Sequence, residues 1–371
     1  MKKILHIVGQ YYPAIGGIET IARDMVFSLR NNYINKVICL NVENKTIHRS
    51  VDGVEVVYCS TFLKISSQRI SWTFYSELKK ILTDMDPDIV VFHFPNPLMS
   101  TVLMMLMCER IKLIVYWHSD IVKQKIIKKF FYFNTIQLLN RADRIVATSP
   151  DYVEGSDFLF KFKEKVCVIP NFVNEYRIEC ICKQANNKQF FSKDKFKCIA
   201  VGRLVEYKGF DYLIDAFKFL DDDKYELLLV GSGPLFEKLK KKVGEKSNIK
   251  LMGRLSDRDL YTALSEADIC CFSSITRNEA FGVSLAEAMY FGLPSVTFTI
   301  KGSGVNFVSP NRITGIEVRN KDIEAYKNAI IELKSNGTLR TLYSKNAKNR
   351  ISKLFSFKIF NKNIANLLSE F

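Results

Sequence analysis

Two carboxylates eight positions apart, Glu279 and Glu287, bracket the run Ala280-Phe281-Gly282-Val283-Ser284-Leu285-Ala286. Carboxylates only accept hydrogen bonds and sugar hydroxyls donate them, so such a pair can hold hydroxyls on either side of a group seated between. The approach, Asp268-Ile269-Cys270-Cys271-Phe272, reads as a short buried strand. Ser273 to Asn278 reads as a loop, and Ser284 to Tyr290 as the first turns of a helix. A helix N-terminus presents unpaired backbone N–H groups and the positive end of the helix dipole, which suits a diphosphate. A plainer reading fits the same residues. Ser284-Leu285-Ala286-Glu287 matches a capping box, in which Glu287 returns a hydrogen bond to the backbone of Ser284.

Groups of this kind need a scaffold to aim them. Short β-type runs alternate with helical patterns along the whole chain, which predicts α/β architecture with parallel sheets and crossover helices. The first set of strands is expected at Lys3–Val8, Lys36–Leu40, Val54–Tyr58, Ile89–Phe92, Lys112–Tyr116, Arg144–Ala147 and Val166–Ile169, with helices starting near Gly17, Ser71, Pro97, Ile121 and Pro150. The second set is expected at Lys197–Val201, Glu226–Val230, Ile249–Met252, Asp268–Phe272, Ser295–Phe298 and Gly315–Val318. The reading is two tandem Rossmann-like, doubly wound domains: residues 1–170, a lysine-rich linker over 171–195, and residues 196–355. Such sheets bind ligands at strand C-terminal ends, so a cleft between the domains is the expected site.

Further candidates fall at those strand ends. Gly16 and Gly17 follow the first strand and open the first helix, where backbone can approach a phosphate or sugar; a simple tight connection is the plainer reading. The pair does not match G-x-G-x-x-G, which argues against hydride-transfer dinucleotide binding. After the first strand of the second set, Gly202-Arg203-Leu204 leads to Lys208-Gly209. Arg203 can grip phosphate through its fork and Lys208 can add a point charge, unless both are solvated loop cations. Gly231-Ser232-Gly233-Pro234 offers another close-approach turn, or a plain turn with its proline at helix position N1. His118, in Trp117-His118-Ser119-Asp120, can change charge or donate near neutral pH, and Asp120 can fix its orientation or touch substrate; a satisfied half-buried histidine is the alternative.

Composition sets the outer limits. The 371 residues are 47% hydrophobic, enough for more than one core, and a disordered chain is excluded. Nine cysteines are scattered through apolar runs and read as reduced core residues; none stands in zinc-site spacing with the four histidines, so no metal is expected. Met1-Lys2-Lys3 leads into a short strand rather than a secretory segment, which gives a cytoplasmic expectation. Leu98 to Cys108 reads as a buried helix, too short to span a membrane. The net charge of +15 calls for an anionic partner: phosphate, nucleic acid or a membrane surface.

Taken in order, Gly16-Gly17, Trp117-His118-Ser119-Asp120, Ile169-Pro170-Asn171, Gly202-Arg203-Leu204 with Lys208-Gly209, Gly231-Ser232-Gly233-Pro234, and Glu279 through Glu287 resemble the retaining glycosyltransferases of family four, which have the GT-B fold. The likeness spans essentially the whole chain. It implies that Arg203 and Lys208 hold the donor diphosphate with backbone at Gly17, Gly282 and Val283, that Glu279 contacts the donor sugar and Glu287 the ribose. It further implies that His118 lies against the transferred sugar, that Gly231, Arg254 and Leu255 line the nucleotide, with Gly16, Asp120 and Phe281 counted in the donor site. The last helix, 356–371, is expected to return to the first domain. No metal or other cofactor is implied, since cationic side chains meet the leaving group, and front-face attack with retention is the implied mechanism.

Lys123 to Phe133 mixes cations with aliphatic and aromatic residues directly after the His118 motif. It reads either as a peripheral anchor on the anionic inner face of a membrane, facing a lipid-linked acceptor, or as a core helix with a solvated lysine face. Trp117 to Val122, with Ala147-Thr148-Ser149-Pro150, is similar to bacterial polysaccharide and O-antigen mannosyltransferases, which makes GDP-mannose the first expected donor and UDP-hexoses the next. A nucleotide-sugar 2-epimerase would need acid/base groups that cannot be assigned here. A basic nucleic-acid-binding protein would explain the charge but not the strand-end motifs, so no nucleic-acid partner is expected.

Overall fold

The computed structural model describes residues 1–14, 16–65, 68–120, 125–183 and 188–371. It divides into two compact units: residues 1–148, 156–169 and 361–371 form the first, and residues 149–155 and 170–360 the second.

The first unit is built on an eight-stranded sheet in the spatial order Val166–Val168, Arg144–Ala147, Lys112–Trp117, Ile89–Phe94, Lys3–Val8, Ile34–Leu40, Val54–Cys59 and Ile47–Val51. All neighbours are parallel except the last pair. The central strands are apolar on both faces because helices cover both; Ile89–Phe94 is buried throughout. The edge strand Ile47–Val51 is missing from the sequence-based expectation. Its hairpin turns on Asp52 and Gly53, both at positive φ, the two-residue Asp-Gly connection that matches strand twist. The strand's alternation was hidden because it is an edge and mostly solvent-facing.

The second unit carries six parallel strands in the order Ile249–Gly253, Tyr225–Val230, Phe196–Val201, Ile269–Phe272, Ser295–Phe298 and Gly315–Val318. The chain thus winds outward in one direction from Phe196–Val201 and then reverses to Ile269–Phe272. The reversal opens a crevice at the strand C-termini beside those two strands.

Several expectations are corrected here. The interval 171–195 is not a bare linker: its described part holds the helix Glu175–Cys182, capped by Asn174, and Phe190 and Phe191 are buried in the second unit's core. The helix Pro97–Leu106 buries one face only; Met105 is 71% exposed and Cys108 lies on the surface. Five cysteines are buried, but Cys108, Cys180 and Cys182 are exposed, because they lie at or beside helix ends rather than in strands. The final helix runs Phe357–Ser369. Its residues from Asn361 belong to the first unit, where Glu370 pairs with Arg144 at 2.8 Å.

Candidate functional site

In the second unit the strand-end loops interlock. Gly202 N–H bonds to the Val230 carbonyl, Leu204 N–H to Ser232, Gly231 N–H to Gly253, and Ile275 N–H to Tyr207. These bonds run sideways between loops, so each loop is aimed by its neighbours. Gly231 has φ +148°, and a Cβ there would stand 1.8 Å from the Gly202 carbonyl oxygen. The Gly231 turn is therefore a structural joint that only glycine fits.

Those loops bring Lys208 and Glu279 together. Lys208 Nζ lies 2.5 Å from Glu279 Oε2, with the two side chains only 10% and 12% exposed. Ser274 Oγ donates to the same carboxylate at 3.0 Å, and Ser273 Oγ holds the Lys208 carbonyl at 2.8 Å. Ser303 Oγ donates to the backbone carbonyl of Glu279. Burial works against the Lys208 charge, but the Glu279 carboxylate outweighs it and keeps the ammonium above the ordinary lysine range. Lys208 is thus not the open point charge suggested by its sequence context. It is neutralised by Glu279, and Nζ also sits 4.9 Å from the Phe272 ring centroid.

Arg203 is different. It is exposed at the end of Phe196–Val201 and makes no ion pair among the described residues. A planar fork in that position remains open for a phosphate. Arg254 is likewise exposed at the end of Ile249–Gly253, and Leu255 packs against the unit's core.

The helix after Glu279 starts one residue earlier than the sequence suggests, at Val283, with Gly282 at φ +91° as its N-cap. This overturns the capping-box reading. Ser284 is inside the first turn, and its hydroxyl donates to the Val201 carbonyl at 3.0 Å, tying the helix end to the Arg203 strand. Gly282 has no side chain to cap with, so the first N–H groups are not met by a capping residue. Phe281 is buried at 2% exposure, edge-on to Phe355. Its side chain belongs to the core, which leaves only its backbone for a ligand. Glu287, on the same helix, is half-buried.

In the first unit, Gly16 is the extended N-cap of the helix Gly17–Leu29, and a Cβ on Gly17 would meet nothing within 4 Å among the described residues. His118 sits just past Lys112–Trp117 and is buried at 6% exposure. Burial lowers its pKa to about 3, so the imidazole stays neutral at physiological pH and does not switch charge there. Asp120 is not the residue that holds it. The Asp120 carboxylate accepts from Trp117 Nε1 at 2.8 Å and from Ser156 Oγ at 2.9 Å, whereas His118 Nε2 lies 3.0 Å from His93 Nδ1.

Ser274, Ser303 and His93 were not singled out in the sequence. The two serines look like ordinary loop residues. His93 alternates with apolar residues in Ile89–Phe94, and only its position beside the strand that ends at His118 shows its relevance. Among the described residues, no cluster of three or more His, Cys, Asp or Glu is arranged to hold a metal ion.

Comparison with known proteins decides the family. The family described as Glycosyltransferase Family 4 matches residues 15–177, and the one described as Glycosyl transferases group 1 matches 183–350. A glycosyltransferase of Methanocaldococcus jannaschii is 30% identical over an alignment that covers 96% of each chain. The chain belongs to the family 4 glycosyltransferases. The O-antigen chain mannosyltransferase C of Escherichia coli is 28% identical to this glycosyltransferase over 95% of this chain and 94% of its own. A D-rhamnosyltransferase of Pseudomonas aeruginosa is 27% identical over 95% and 92%. The sucrose-phosphate synthase of Thermosynechococcus elongatus shares the fold, with a TM-score of 0.81 at 18% identity, covering 100% of this chain and 99% of its own. The enzyme is therefore a GT-B glycosyltransferase with two Rossmann-like sheets.

Proposed function

We propose that this glycosyltransferase moves mannose from GDP-mannose onto a lipid-linked, growing cell-surface polysaccharide, with retention at the anomeric carbon. The observation that carries the reading is the Lys208–Glu279 pair beside the open Arg203 fork at the ends of adjacent strands. A nucleotide sugar presents both things such a group fits, donated hydroxyls and a diphosphate. Glu279, held by Lys208 and Ser274, accepts hydroxyl hydrogen bonds from the sugar, and Arg203 meets the diphosphate, whose charge grows as it leaves. Backbone N–H groups at Gly282 and Val283 add to the anion's cradle, and Glu287 takes the ribose. Catalysis then rests on positioning and charge stabilisation, with the leaving phosphate accepting the acceptor's proton and no metal ion required.

The relatives that act in O-antigen mannosylation and in D-rhamnosyl transfer support a mannose-type donor and a polysaccharide acceptor. UDP-linked hexoses are the second reading. We also propose peripheral attachment at the inner membrane face through 123–133; Lys123 and Gln124 lie outside the described residues, and the helix is described from Lys125 to Arg141. Among the described residues no helix is long and apolar enough to cross a membrane.

A screen of GDP- and UDP-sugars by thermal unfolding tests the donor assignment, because a ligand that binds only the folded chain raises its midpoint. GDP-mannose is expected to give the largest rise. A larger rise from a UDP-sugar would replace the donor.

A further inference from the structure

Between the strand Val54–Cys59 and the helix Thr73–Asp84 the chain forms a small hairpin, Leu63–Ile65 paired with Gln68–Ile70, that joins neither large sheet. An isolated two-stranded ribbon is marginal in water unless its apolar side chains are covered. Here they are not. Leu63 is 48% exposed, and at the base of the hairpin Phe62 and Trp72 stack in parallel, with ring centroids 5.1 Å apart, while 43% and 77% exposed. Tyr75, one turn further along, is exposed as well.

This exposure is held in place. Phe62 N–H donates to the Ile70 carbonyl at 3.2 Å, closing the base of the hairpin, and Ser71 Oγ accepts from the Phe74 N–H at 3.1 Å, fixing the first turn of the helix. Phe74 is buried, so the turn is anchored from inside while the Trp72 indole faces out. Adjoining rings presented in this way make a contiguous apolar patch, the mark of a surface that meets something else.

The charges beside the stack indicate the partner. The register sets Lys64 directly opposite Arg69. Like charges across a ladder repel, and neither residue forms an ion pair among the described residues, so an anion at this spot relieves the repulsion. Rings and cations side by side fit a lipid surface with anionic headgroups: Trp and Phe settle at headgroup level, and Lys and Arg meet the phosphates. Stacked nucleic-acid bases fit less well. Phe62 and Trp72 already cover one face of each other, and aliphatic Leu63 offers a base nothing to stack on, whereas acyl chains accept all three.

We propose that the Phe62–Trp72 stack, with Leu63, Lys64 and Arg69, is a contact site for the surface of an anionic phospholipid bilayer. It depends neither on the helix Lys125–Arg141 nor on the donor and acceptor proposed above.

Trp72 supplies the probe. The chain has two tryptophans, and the other, Trp117, is fully buried and stacked on Phe94, so the Trp72 emission is the one that follows a surface contact. The full chain is titrated with vesicles of phosphatidylglycerol and phosphatidylcholine in equal parts, and with vesicles of phosphatidylcholine alone. The mixed vesicles are expected to shift the emission to the blue and to quench it through brominated acyl chains, with both effects absent in Trp72→Phe and reduced by raised salt. Lys64→Ala combined with Arg69→Ala is expected to weaken partitioning about 25-fold, from about fivefold for each cation near the surface, with the unfolding midpoint unchanged. Glutamate in place of Lys125, Lys128 and Lys129 is expected to leave the Trp72 shift intact at saturating lipid. Unchanged Trp72 emission with the mixed vesicles would overturn the proposal, as would an equal shift with the neutral vesicles or a shift lost in the triple glutamate variant. A shift given by RNA or soluble mannan in place of vesicles, or one present in the chain alone and lost on dilution, would overturn it in favour of that partner or of a second copy of the chain.

Discussion

Lys208 and Glu279 show how a cation that its sequence context leaves open can be neutralised within the fold. The pair is nearly dry, so its two charges are expected to support each other strongly. Lys208→Met leaves the carboxylate buried and uncompensated, and chemical denaturation is expected to register a loss of about 3–5 kcal/mol. Lys208→Met combined with Glu279→Leu is expected to recover much of that loss while abolishing donor binding. Equal losses in the single and double variants would mean that the pair contributes nothing as a pair. Two buried histidines of the first unit, His6 in Lys3–Val8 and His118, make a separate prediction about acid. His6 and His118 have folded pKa values of about 4 and about 3, below the 6.5 of a free side chain. Below pH 6.5 the unfolded chain therefore takes up protons that the folded rings refuse. Stability is fully present above that pH and falls as pH drops, by about 1.4 kcal/mol per pH unit for each ring until its folded pKa is reached. Replacing His6 by Phe is expected to flatten the acid limb of a stability–pH curve.

At the level of elements, the loops matter as much as the strands they follow. Gly231→Ala sets a Cβ against the Gly202 carbonyl at a backbone angle that other residues avoid. It is expected to cost at least about 1–3 kcal/mol in thermal stability and to weaken donor binding more than that loss of folding explains. Wild-type midpoint and binding would contradict the interlocked-loop account. The strands were legible because parallel sheets covered on both faces are written as continuous apolar runs, as in Ile89–Phe94 and Tyr225–Val230. The edge strand Ile47–Val51 was not, since mostly polar edges lack that signal, although Asp52-Gly53 marked its turn. The Glu175–Cys182 helix was hidden inside a lysine-rich interval by its polar face. Within the site, Arg203, Lys208 and Glu279 could be picked from their places at strand ends. Their division into an open cation and a closed pair could not, because it depends on loop contacts between residues more than seventy positions apart.

On the scale of the whole molecule, the excess positive charge and the helix Lys125–Arg141 bear on where the enzyme works. If that helix meets an anionic membrane, replacing Lys125, Lys128 and Lys129 with glutamate is expected to reduce sedimentation with anionic liposomes, and raised salt is expected to do the same in the wild type. Unchanged partitioning in the variant would move the contact elsewhere. The two sheets give the enzyme two independently built halves, and the donor chemistry argued above lies in the second. Its most direct test is a calorimetric titration of the full chain with GDP-mannose, repeated on Arg203→Ala and Glu279→Gln. The account predicts saturable binding that weakens roughly tenfold or more in each variant, as expected for a lost charge-assisted hydrogen bond. Binding of equal strength in all three proteins would contradict it.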